Sequence, residues 1–267
     1  MPKVSVIVIT KNEAANLADA LASVAWADEL IVVDAESTDD TVSIARRHTP
    51  HVHVRPWPGY SAQKNHAASL ATHDWILSLD ADERVTPALA EEIRAAMARD
   101  DAAPDGGVTR PRGYRIPRVT FVFDRWLRST DWYPDWQLRL YDRRAGRWNG
   151  RPVHESVTVD GEVEKLHHEL QHVGYHGIAH HVDTINRYTT LAANDLAAKG
   201  RRASVIDLVV QGPLAFLRNY LLRGGIRDGR VGLVISVMNA YYVVLKHVKL
   251  WEKQKKQEGR GSEDQRS

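Results

Sequence analysis

An apolar strand leads directly into two carboxylates in the stretch Trp75-Ile76-Leu77-Ser78-Leu79-Asp80-Ala81-Asp82-Glu83-Arg84. Side chains alternate along a strand, so we expect Asp80 and Asp82 to point to the same side. In open α/β sheets, ligands bind beyond the carboxyl ends of the strands, which is where this pair falls. Two hard oxygen ligands favour Mg²⁺ or Mn²⁺ shared with substrate phosphates. The alternative is an acidic turn in solvent, which is the more common meaning of an isolated Asp-x-Asp.

The composition narrows the class of protein. A chain of 267 residues can form one large α/β domain, or one domain with an appendage, around a sizeable core. Cysteine is absent, which excludes disulfides and thiolate metal sites and favours a reducing cytoplasm. The formal net charge of +2 is too small for a general nucleic-acid surface, so we expect no nucleic-acid partner. The apolar run at residues 4–9 is too short for a signal peptide and predicts a first strand.

Residues 1–99 alternate between strand and helix patterns. Apolar runs predict four strands, at residues 4–9, 30–33, 52–55 and 75–79. Helices are predicted at residues 12–24, capped by Asn12, and at 37–48, 61–71 and 86–99. This order predicts an α/β fold with a mostly parallel central sheet and helices on both faces.

The pattern changes after residue 100. Strand patterns recur at residues 114–123, 137–142 and 153–159, and residues 183–199 predict a helix that ends at Gly200. Four tryptophans among arginines and aspartates lie in this part: Trp126, Trp132, Trp136 and Trp148. Such a mixture suits a pocket wall that stacks on sugar rings, with core packing as the alternative for each tryptophan.

Two strongly apolar runs follow, at residues 205–217 and 231–245. Neither reaches the roughly 18 to 20 apolar residues of a membrane span. Basic residues flank both runs: Arg218, Arg223, Arg227, Arg230, Lys246, Lys249, Lys253, Lys255 and Lys256. We therefore expect residues 205–256 to form a helical extension on an anionic membrane surface. The alternative is a hairpin buried against the protein or a dimer partner. Residues 257–267 are expected to be a disordered tail.

Two more side chains point to a phosphate-bearing ligand. Asp34 ends the second predicted strand, where a carboxylate can accept hydrogen bonds from a base or ribose. Lys64 lies on the helix before the fourth strand and can reach a phosphate as a point charge. A divalent cation held by Asp82, with Asp80 in support, would stabilise a leaving diphosphate. A loop-capping Asp34 and a solvated Lys64 are the alternatives.

Several segments, in this order, resemble the signatures of the family 2 inverting glycosyltransferases, which have the GT-A fold. They are VIVITKNE at 6–13, VDAESTDDT at 33–41, QKN at 63–65 and LDADE at 79–83. Later segments resemble the bacterial lipopolysaccharide-core β-glucosyltransferase subgroup: WYPD at 132–135, RLY at 139–141, VHE at 153–155, NRY at 186–188 and KLWE at 249–252.

The resemblance implies a nucleotide-diphospho-sugar donor, Mg²⁺ or Mn²⁺, and transfer with inversion to a saccharide or lipid-linked saccharide. It assigns Thr10, Glu13 and Asp34 to the nucleoside, Lys64 to the diphosphate, and Asp80 and Asp82 to the metal. Ala35 stands where many relatives carry a second acidic residue, so recognition of the base or ribose differs here in detail. The implied organisation is a GT-A domain over 1–204, with a nucleotide-sugar half (1–99) and an acceptor half (100–204). The implied location is the cytoplasmic face of a bacterial inner membrane, bound peripherally.

Inversion by direct displacement needs a carboxylate that takes the proton of the acceptor hydroxyl. Glu155, in a His154-Glu155 pair where relatives carry Glu-Asp, is the first candidate, and Asp135 is the second. His154 and His172 are candidates for a third metal ligand, because imidazole also suits Mn²⁺. Arg139 could hold a phosphate of the donor or acceptor.

Other enzyme classes fit the order of motifs less well. A sugar-phosphate nucleotidyltransferase needs a glycine-rich loop after the first strand, where this chain has Thr10-Lys11-Asn12-Glu13. A haloacid-dehalogenase-type phosphatase carries its Asp-x-Asp after the first strand and not the fourth. Two alternatives on the same fold stay open: a polyprenyl-phosphate glycosyltransferase and a non-catalytic carbohydrate-binding protein.

Overall fold

A computed structural model describes residues 2–102, 110–150 and 156–263, with side chains omitted at 100–102 and 258–263. The chain divides into two compact units. The first comprises Met1–Thr120 and Asp135–Gly174, and the second comprises Phe121–Pro134 and Tyr175–Ser267. The boundary predicted between residues 204 and 205 falls inside the second unit.

The first unit begins with the predicted alternation. Strands β1 (Val4–Thr10), β2 (Glu29–Asp34), β3 (Val52–Val54) and β4 (Trp75–Asp80) alternate with helices α1 (Leu17–Ala22), α2 (Thr41–His48) and α3 (Tyr60–Leu70). β1 pairs in parallel with both β2 and β4, and β2 pairs in parallel with β3. The cap predicted at Asn12 is wrong: α1 begins only at Leu17, and Asn12 turns the chain with a φ of +54°.

The segment after β4 differs from the sequence prediction, which had no strand between β4 and the next helix. A two-residue turn after Asp80 leads to β5 (Glu83–Val85), and α4 (Pro87–Ala102) follows. Asp82 lies in this turn, so the strand alternation that predicted a common direction for Asp80 and Asp82 does not apply to it. β5 is too short for a hydrophobic period to show in the sequence.

The remaining strands complete a mixed sheet. They are β6 (Gly113–Val122), β7 (Arg125–Leu127), β8 (Asp135–Asp142), β9 (Gly146–Trp148), β10 (Val157–Val159), β11 (Val163–Lys165) and β12 (Leu170–His172). The main order is β3-β2-β1-β4-β8-β6-β12-β5, with β7 and β11 also on β6, while β9 and β10 form a separate pair. β8 runs antiparallel to β4 and β6, and β12 antiparallel to β5. The sheet is therefore parallel in its first half and mixed in its second.

Alternate residues of β1 build two hydrophobic clusters. Val6 and Val8 pack with residues of α1, whereas Ile7 and Ile9 pack with residues of α3. Because successive side chains of a strand point to opposite faces, the two clusters cover both faces of the sheet. The predicted helices on both faces are confirmed.

The second unit is mainly helical. It contains α5 (Ile178–Ala198), α6 (Val205–Val209), α7 (Gln211–Leu217), a π-helical turn at Arg218–Leu222, a 3₁₀ turn at Gly225–Asp228 and α8 (Gly229–Glu263). Val231 and Ile235 of α8 pack with Val122 and Leu127, and Trp132 packs against this cluster. Trp132 is therefore partly buried against the core of this unit. α8 continues through most of the predicted disordered tail, which is an error of the sequence analysis; residues 264–267 lie outside the described residues.

Within the described residues, one helical stretch, Gly225–Gln257, is long and apolar enough to cross a membrane by length and composition alone. The expectation that neither apolar run could span is therefore wrong for the second run, because α8 continues it into one long helix. A core helix of a soluble protein can pass the same test. Only 28% of the most apolar window of this helix is buried within the protein.

Candidate active site

A cleft of about 570 Å³ lies in the first unit at the carboxyl ends of β1 and β4. The predicted site residues that line it are Thr10, Glu13, Lys64, Asp80, Asp82 and His172. Carboxyl ends of neighbouring parallel strands meet at one edge of a sheet, which explains why loops after β1 and β4 converge here. Asp34, Asp135 and Arg139 are not among the residues that line this cleft.

The pairing of β5 with β12 brings His172 to Asp82. His172 lies opposite Glu83 in this ladder, and the N–H of Val173 donates to the carbonyl of Asp82 over 2.9 Å. The His172 Nε2 lies 3.2 Å from Asp82 Oδ2, and its Nδ1 lies 3.2 Å from Thr120 Oγ1. Burial alone would raise the pKa of Asp82, but the hydrogen bond and charge of His172 hold that pKa below its usual value.

The backbone passes this pair closely at Gly174. A Cβ atom placed on Gly174 would overlap both the Asp82 Oδ2 and the His172 Nε2 atoms. Both atoms are side-chain ends, so a larger residue here would displace the pair before it disturbed the fold. Glycine therefore keeps the carboxylate and the imidazole together at the cleft.

Asp80 has different partners, although it is only two residues away. Its Oδ1 lies 2.7 Å from Lys64 Nζ, and its Oδ2 accepts a hydrogen bond from the Arg139 guanidinium. Burial would raise the pKa of Asp80, but the two cations outweigh burial and hold it far below the usual value. Burial also lowers the pKa of Lys64, against the charge of Asp80. Both oxygens of Asp80 are thus occupied by cations.

Behind Asp80 lies a buried ion cluster that the sequence analysis missed. Glu83 is fully buried and accepts hydrogen bonds from Arg139 over 2.6 Å, from Arg118 over 3.0 Å and from the Asp80 N–H over 3.0 Å. Arg118 also donates to Asp135 Oδ2 over 2.7 Å, and Gln137 donates to Asp135 Oδ1 over 2.7 Å. The structure thus places Arg139 among carboxylates and gives Asp135 a guanidinium partner. No local spacing in the sequence links Glu83 to Arg118.

The loops after β1 and β2 hold each other in place. Asp34 is fully buried and accepts hydrogen bonds from the backbone N–H of Ser37 over 2.8 Å and from its hydroxyl over 2.5 Å. The Asn12 Oδ1 accepts the N–H of Thr38 over 2.8 Å. Asp34 acts here as a loop cap. Thr10, in contrast, lines the cleft, and its buried Oγ1 has no hydrogen-bond partner among the described residues.

The donor set at the cleft fits a divalent cation. Asp82 Oδ2 and His172 Nε2 are a carboxylate oxygen and an imidazole nitrogen, the ligand types that suit Mn²⁺ or, for the oxygen, Mg²⁺. The described residues contain no group of three or more His, Asp or Glu that could hold a metal alone. A cation here would therefore need substrate phosphates or water as further ligands, as Mg²⁺ commonly does. His154 and Glu155 lie outside the described residues.

Comparisons with known proteins identify the family of the chain. Residues 5–154, more than half of the chain, match the family Glycosyl transferase family 2. An uncharacterised glycosyltransferase of Rickettsia felis is 33% identical over 94% of this chain and 90% of that protein. The lipopolysaccharide core biosynthesis glycosyltransferase LpsC of Rhizobium meliloti is 27% identical over 93% and 92%.

Among solved structures, residues 1–349 of S. aureus TarS in complex with UDP-GlcNAc have a TM-score of 0.49 at 13% identity, over 97% of this chain and 92% of that one. The family match covers β1 to β4, the carboxylates after β4 and the strands up to β9. The chain therefore belongs to glycosyl transferase family 2 and has the GT-A fold.

Proposed function

We propose that this protein transfers a sugar from a nucleotide-diphospho-sugar to a hydroxyl of a saccharide acceptor, with inversion. The observation that carries the proposal is the Asp82–His172 pair in a cleft at the carboxyl ends of β1 and β4. The pair supports the proposal because ligands bind beyond the carboxyl ends of strands in α/β sheets. The family match supports the transfer of a sugar.

In this proposal, Asp82 and His172 hold the divalent cation and the donor lies across the cleft. The cation would supply charge stabilisation to the departing diphosphate. Thr10 and Glu13 contact the nucleoside side, because both line the cleft. Lys64 positions Asp80 through their 2.7 Å ion pair and faces the diphosphate region.

Glu155 is the proposed general base, which takes the proton of the acceptor hydroxyl. Asp135 is less suited, since both of its oxygens already accept hydrogen bonds, from Arg118 and from Gln137. Glu155 directly precedes Ser156, which lines a second cavity in the same unit.

The proposed acceptor is a saccharide of the lipopolysaccharide core or another lipid-linked saccharide, reached at the cytoplasmic face of the inner membrane. The relative in Rhizobium meliloti supports the acceptor class. Several strongly exposed apolar side chains of the second unit support a lipid contact: Val205, Ile206, Val209 and Leu222. The length of α8 keeps a polyprenyl phosphate as the second candidate acceptor.

A thermal-stability screen tests the donor half of this proposal. The protein is heated with a panel of nucleotide sugars in Mn²⁺, in Mg²⁺ and in excess EDTA. A bound donor at a hundred times its Kd adds about 2.7 kcal/mol of stability, so one nucleotide sugar should raise the Tm and EDTA should cancel the shift. Slow release of nucleoside diphosphate would then separate an enzyme from a binding protein. If no nucleotide sugar or nucleoside diphosphate shifts the Tm with either metal, the proposal is wrong.

A further inference from the structure

A second cavity of about 330 Å³ lies next to the cleft, within the first unit. Lys64 and Asp80 line both spaces, so this ion pair borders the cleft and the second cavity. Trp136 and Trp148 line the second cavity as well. Two ligands, one in the cleft and one in the second cavity, would therefore both lie beside the Lys64–Asp80 pair.

The charges around this cavity are unequal. Its lining contains four cationic side chains, Lys64, Arg115, Arg118 and Arg139, against the single carboxylate of Asp80. Three of the four already have carboxylate partners in the ion cluster. Arg115 has no side-chain partner within the described part of the chain and is exposed. It is therefore the lining cation that can bind a ligand without breaking an existing contact.

A second unpaired cation lies beside Arg115. Lys165 of β11 is the direct neighbour of Arg115 in the parallel β11–β6 ladder. Its Nζ lies 4.5 Å from the centre of the Trp136 ring, and it has no carboxylate partner among the described residues. Like charges on directly paired strand residues repel each other, and an anion between them would remove this cost. Arg115 and Trp136 line the cavity, and Lys165, which lies over the Trp136 ring, is a second cation beside it.

We propose that this cavity binds the acceptor saccharide and that Arg115 and Lys165 bind an anionic substituent on it, a phosphate or a carboxylate. The proposal rests on the proposed glycosyltransferase function and adds the chemical class of the acceptor. A guanidinium binds carboxylate and phosphate groups through paired hydrogen bonds, and a lysine adds a point charge. The volume fits a small ligand, since ligand sites span roughly 300 to 1,000 Å³.

The test uses the full chain and three probes: glucose 6-phosphate, glucuronate and glucose. Their binding is measured by titration calorimetry at constant ionic strength, for the wild type and for the double variant R115Q/K165Q. We expect an anionic probe to bind the wild type more tightly than glucose, and the double variant to lose about tenfold or more of that affinity. The anionic probe that binds better identifies the substituent as phosphate or carboxylate.

The matched control is R46Q/R47Q, which removes two exposed charges from α2 in the same unit. If the control weakens binding as much as R115Q/K165Q does, the loss reflects the lower net charge of the protein and the proposed site is wrong. Equal binding of glucose and both anions, or no binding of either anion to the wild type, also overturns the proposal. Binding of UDP with Mn²⁺ to the wild type reports separately on the cleft. If UDP did not bind, the proposed function would be refuted. If UDP bound and neither anion did, only the acceptor class would be refuted.

Discussion

Asp80 and Asp82 are two residues apart, yet the structure gives them different partners. Asp80 is bound by Lys64 and Arg139, whereas Asp82 contacts the ring of His172. A metal at Asp80 would have to compete with both of these cations. Asp82 is therefore the residue whose loss should affect metal-dependent binding most directly.

We expect Asp82→Asn to keep the fold and to lose Mn²⁺-dependent binding of UDP or a nucleotide sugar. The amide is nearly the same size, but it removes the anionic ligand. Calorimetry with and without Mn²⁺ measures the effect. Asp40→Asn is the matched control, because Asp40 is exposed and lies outside the cleft. Unchanged Mn²⁺-dependent binding by Asp82→Asn would contradict the assignment.

We expect different effects when Glu155 and Asp135 are each replaced by the corresponding amide. We expect Glu155→Gln to retain donor affinity and to lower kcat by roughly a hundredfold or more, the usual effect of losing a general base. Asp135→Asn should instead act mainly through the loss of its contact with Arg118, and so lower stability. Donor binding, kcat and urea unfolding of both variants separate these effects. A nearly silent Glu155→Gln with a large kcat loss in Asp135→Asn would reverse the roles.

Substitution of Asp142, which does not line the cleft, tests how much a buried charge contributes to stability. This fully buried carboxylate accepts hydrogen bonds from Arg112 over 2.8 Å and from Arg144 over 2.7 Å. Burial would raise its pKa, but the hydrogen bonds of the two arginines hold it below the usual value.

The lowered pKa means that the folded state favours the charged form of Asp142. This stabilisation is complete above the unfolded-state pKa, about 3.9, and is lost as pH falls through the lower folded-state pKa. Asp142→Asn should therefore cost about 1 to 3 kcal/mol at pH 7, and the difference from the wild type should shrink toward pH 3. Urea unfolding across this pH range measures it. A difference that is constant with pH would show that packing, and not charge, is responsible.

At the scale of elements, the start of α8 depends on a close backbone contact. A Cβ atom on Gly232 of α8 would overlap the carbonyl oxygen of Gly225 in the preceding 3₁₀ turn. Backbone cannot move aside as a side chain can, so the helix and the turn would have to separate. The Ser236 hydroxyl donates to the Gly232 carbonyl over 2.7 Å within α8 and lies where it would contact a Cβ on Gly225, so small residues on both elements allow the close approach.

We expect Gly232→Ala to lower the free energy of unfolding by about 1 to 3 kcal/mol, as overpacking usually does, despite the better helix propensity of alanine. Gly212→Ala in α7 is the matched control. Its Cβ would overlap a methyl group of Val244 and would approach no backbone atom closer than 3.8 Å, so we expect a smaller loss than for Gly232→Ala. Thermal or urea unfolding compares the two variants. A stable Gly232→Ala variant would show that the turn can move away from α8.

Another long-range contact of the same unit involves Lys249. Its ammonium donates to the Asn186 carbonyl and side chain over 2.6 Å each, and to the hydroxyls of Thr189 and Thr190 over 2.9 and 2.7 Å. Two short sequence signatures, NRY and KLWE, thus meet to join α5 and α8. Lys249 is therefore not free to bind lipid, and Arg218 and Arg223 are likewise paired, with Asp131.

For the whole molecule, the open question is what covers the apolar side chains of the second unit. Leu222 is 84% exposed and Val205 is 75% exposed, values that a protein interior would not show. Arg227 and Arg230 are exposed, and neither has a side-chain partner within the described residues. Apolar burial in the lipid interface would supply most of the binding, and each unpaired cation would add about 1 kcal/mol near anionic lipid.

We expect the intact protein to float with anionic liposomes and to be released only partly by high salt, which screens charge but not apolar contact. The triple variant with Val205→Asn, Val209→Asn and Leu222→Gln should float much less. Val54→Asn, an exposed apolar position of β3, is the matched control and should float like the wild type. An intact protein that stays off anionic liposomes would contradict the membrane-surface prediction.

The sequence by itself predicted the order of the first strands and helices and the meeting of several site residues at one edge. Apolar runs of strand length, separated by capped helices, are local patterns. They imply a parallel sheet with Thr10 and Asp80 at strand ends, whereas the structure showed that these two strands are neighbours. Lys64 follows from the same reasoning, because the helix that carries it leads into β4.

Only the tertiary structure showed which partner each carboxylate takes. His172 reaches Asp82 across 90 residues because two three-residue strands, β5 and β12, pair at the end of the sheet. Glu83 meets Arg118 across 35 residues by the same packing. Strands this short carry too little hydrophobic pattern to predict their pairing, and ion pairs over such separations depend on sheet order and not on local spacing. The charge state and the partner of each site residue are therefore properties of the folded sheet.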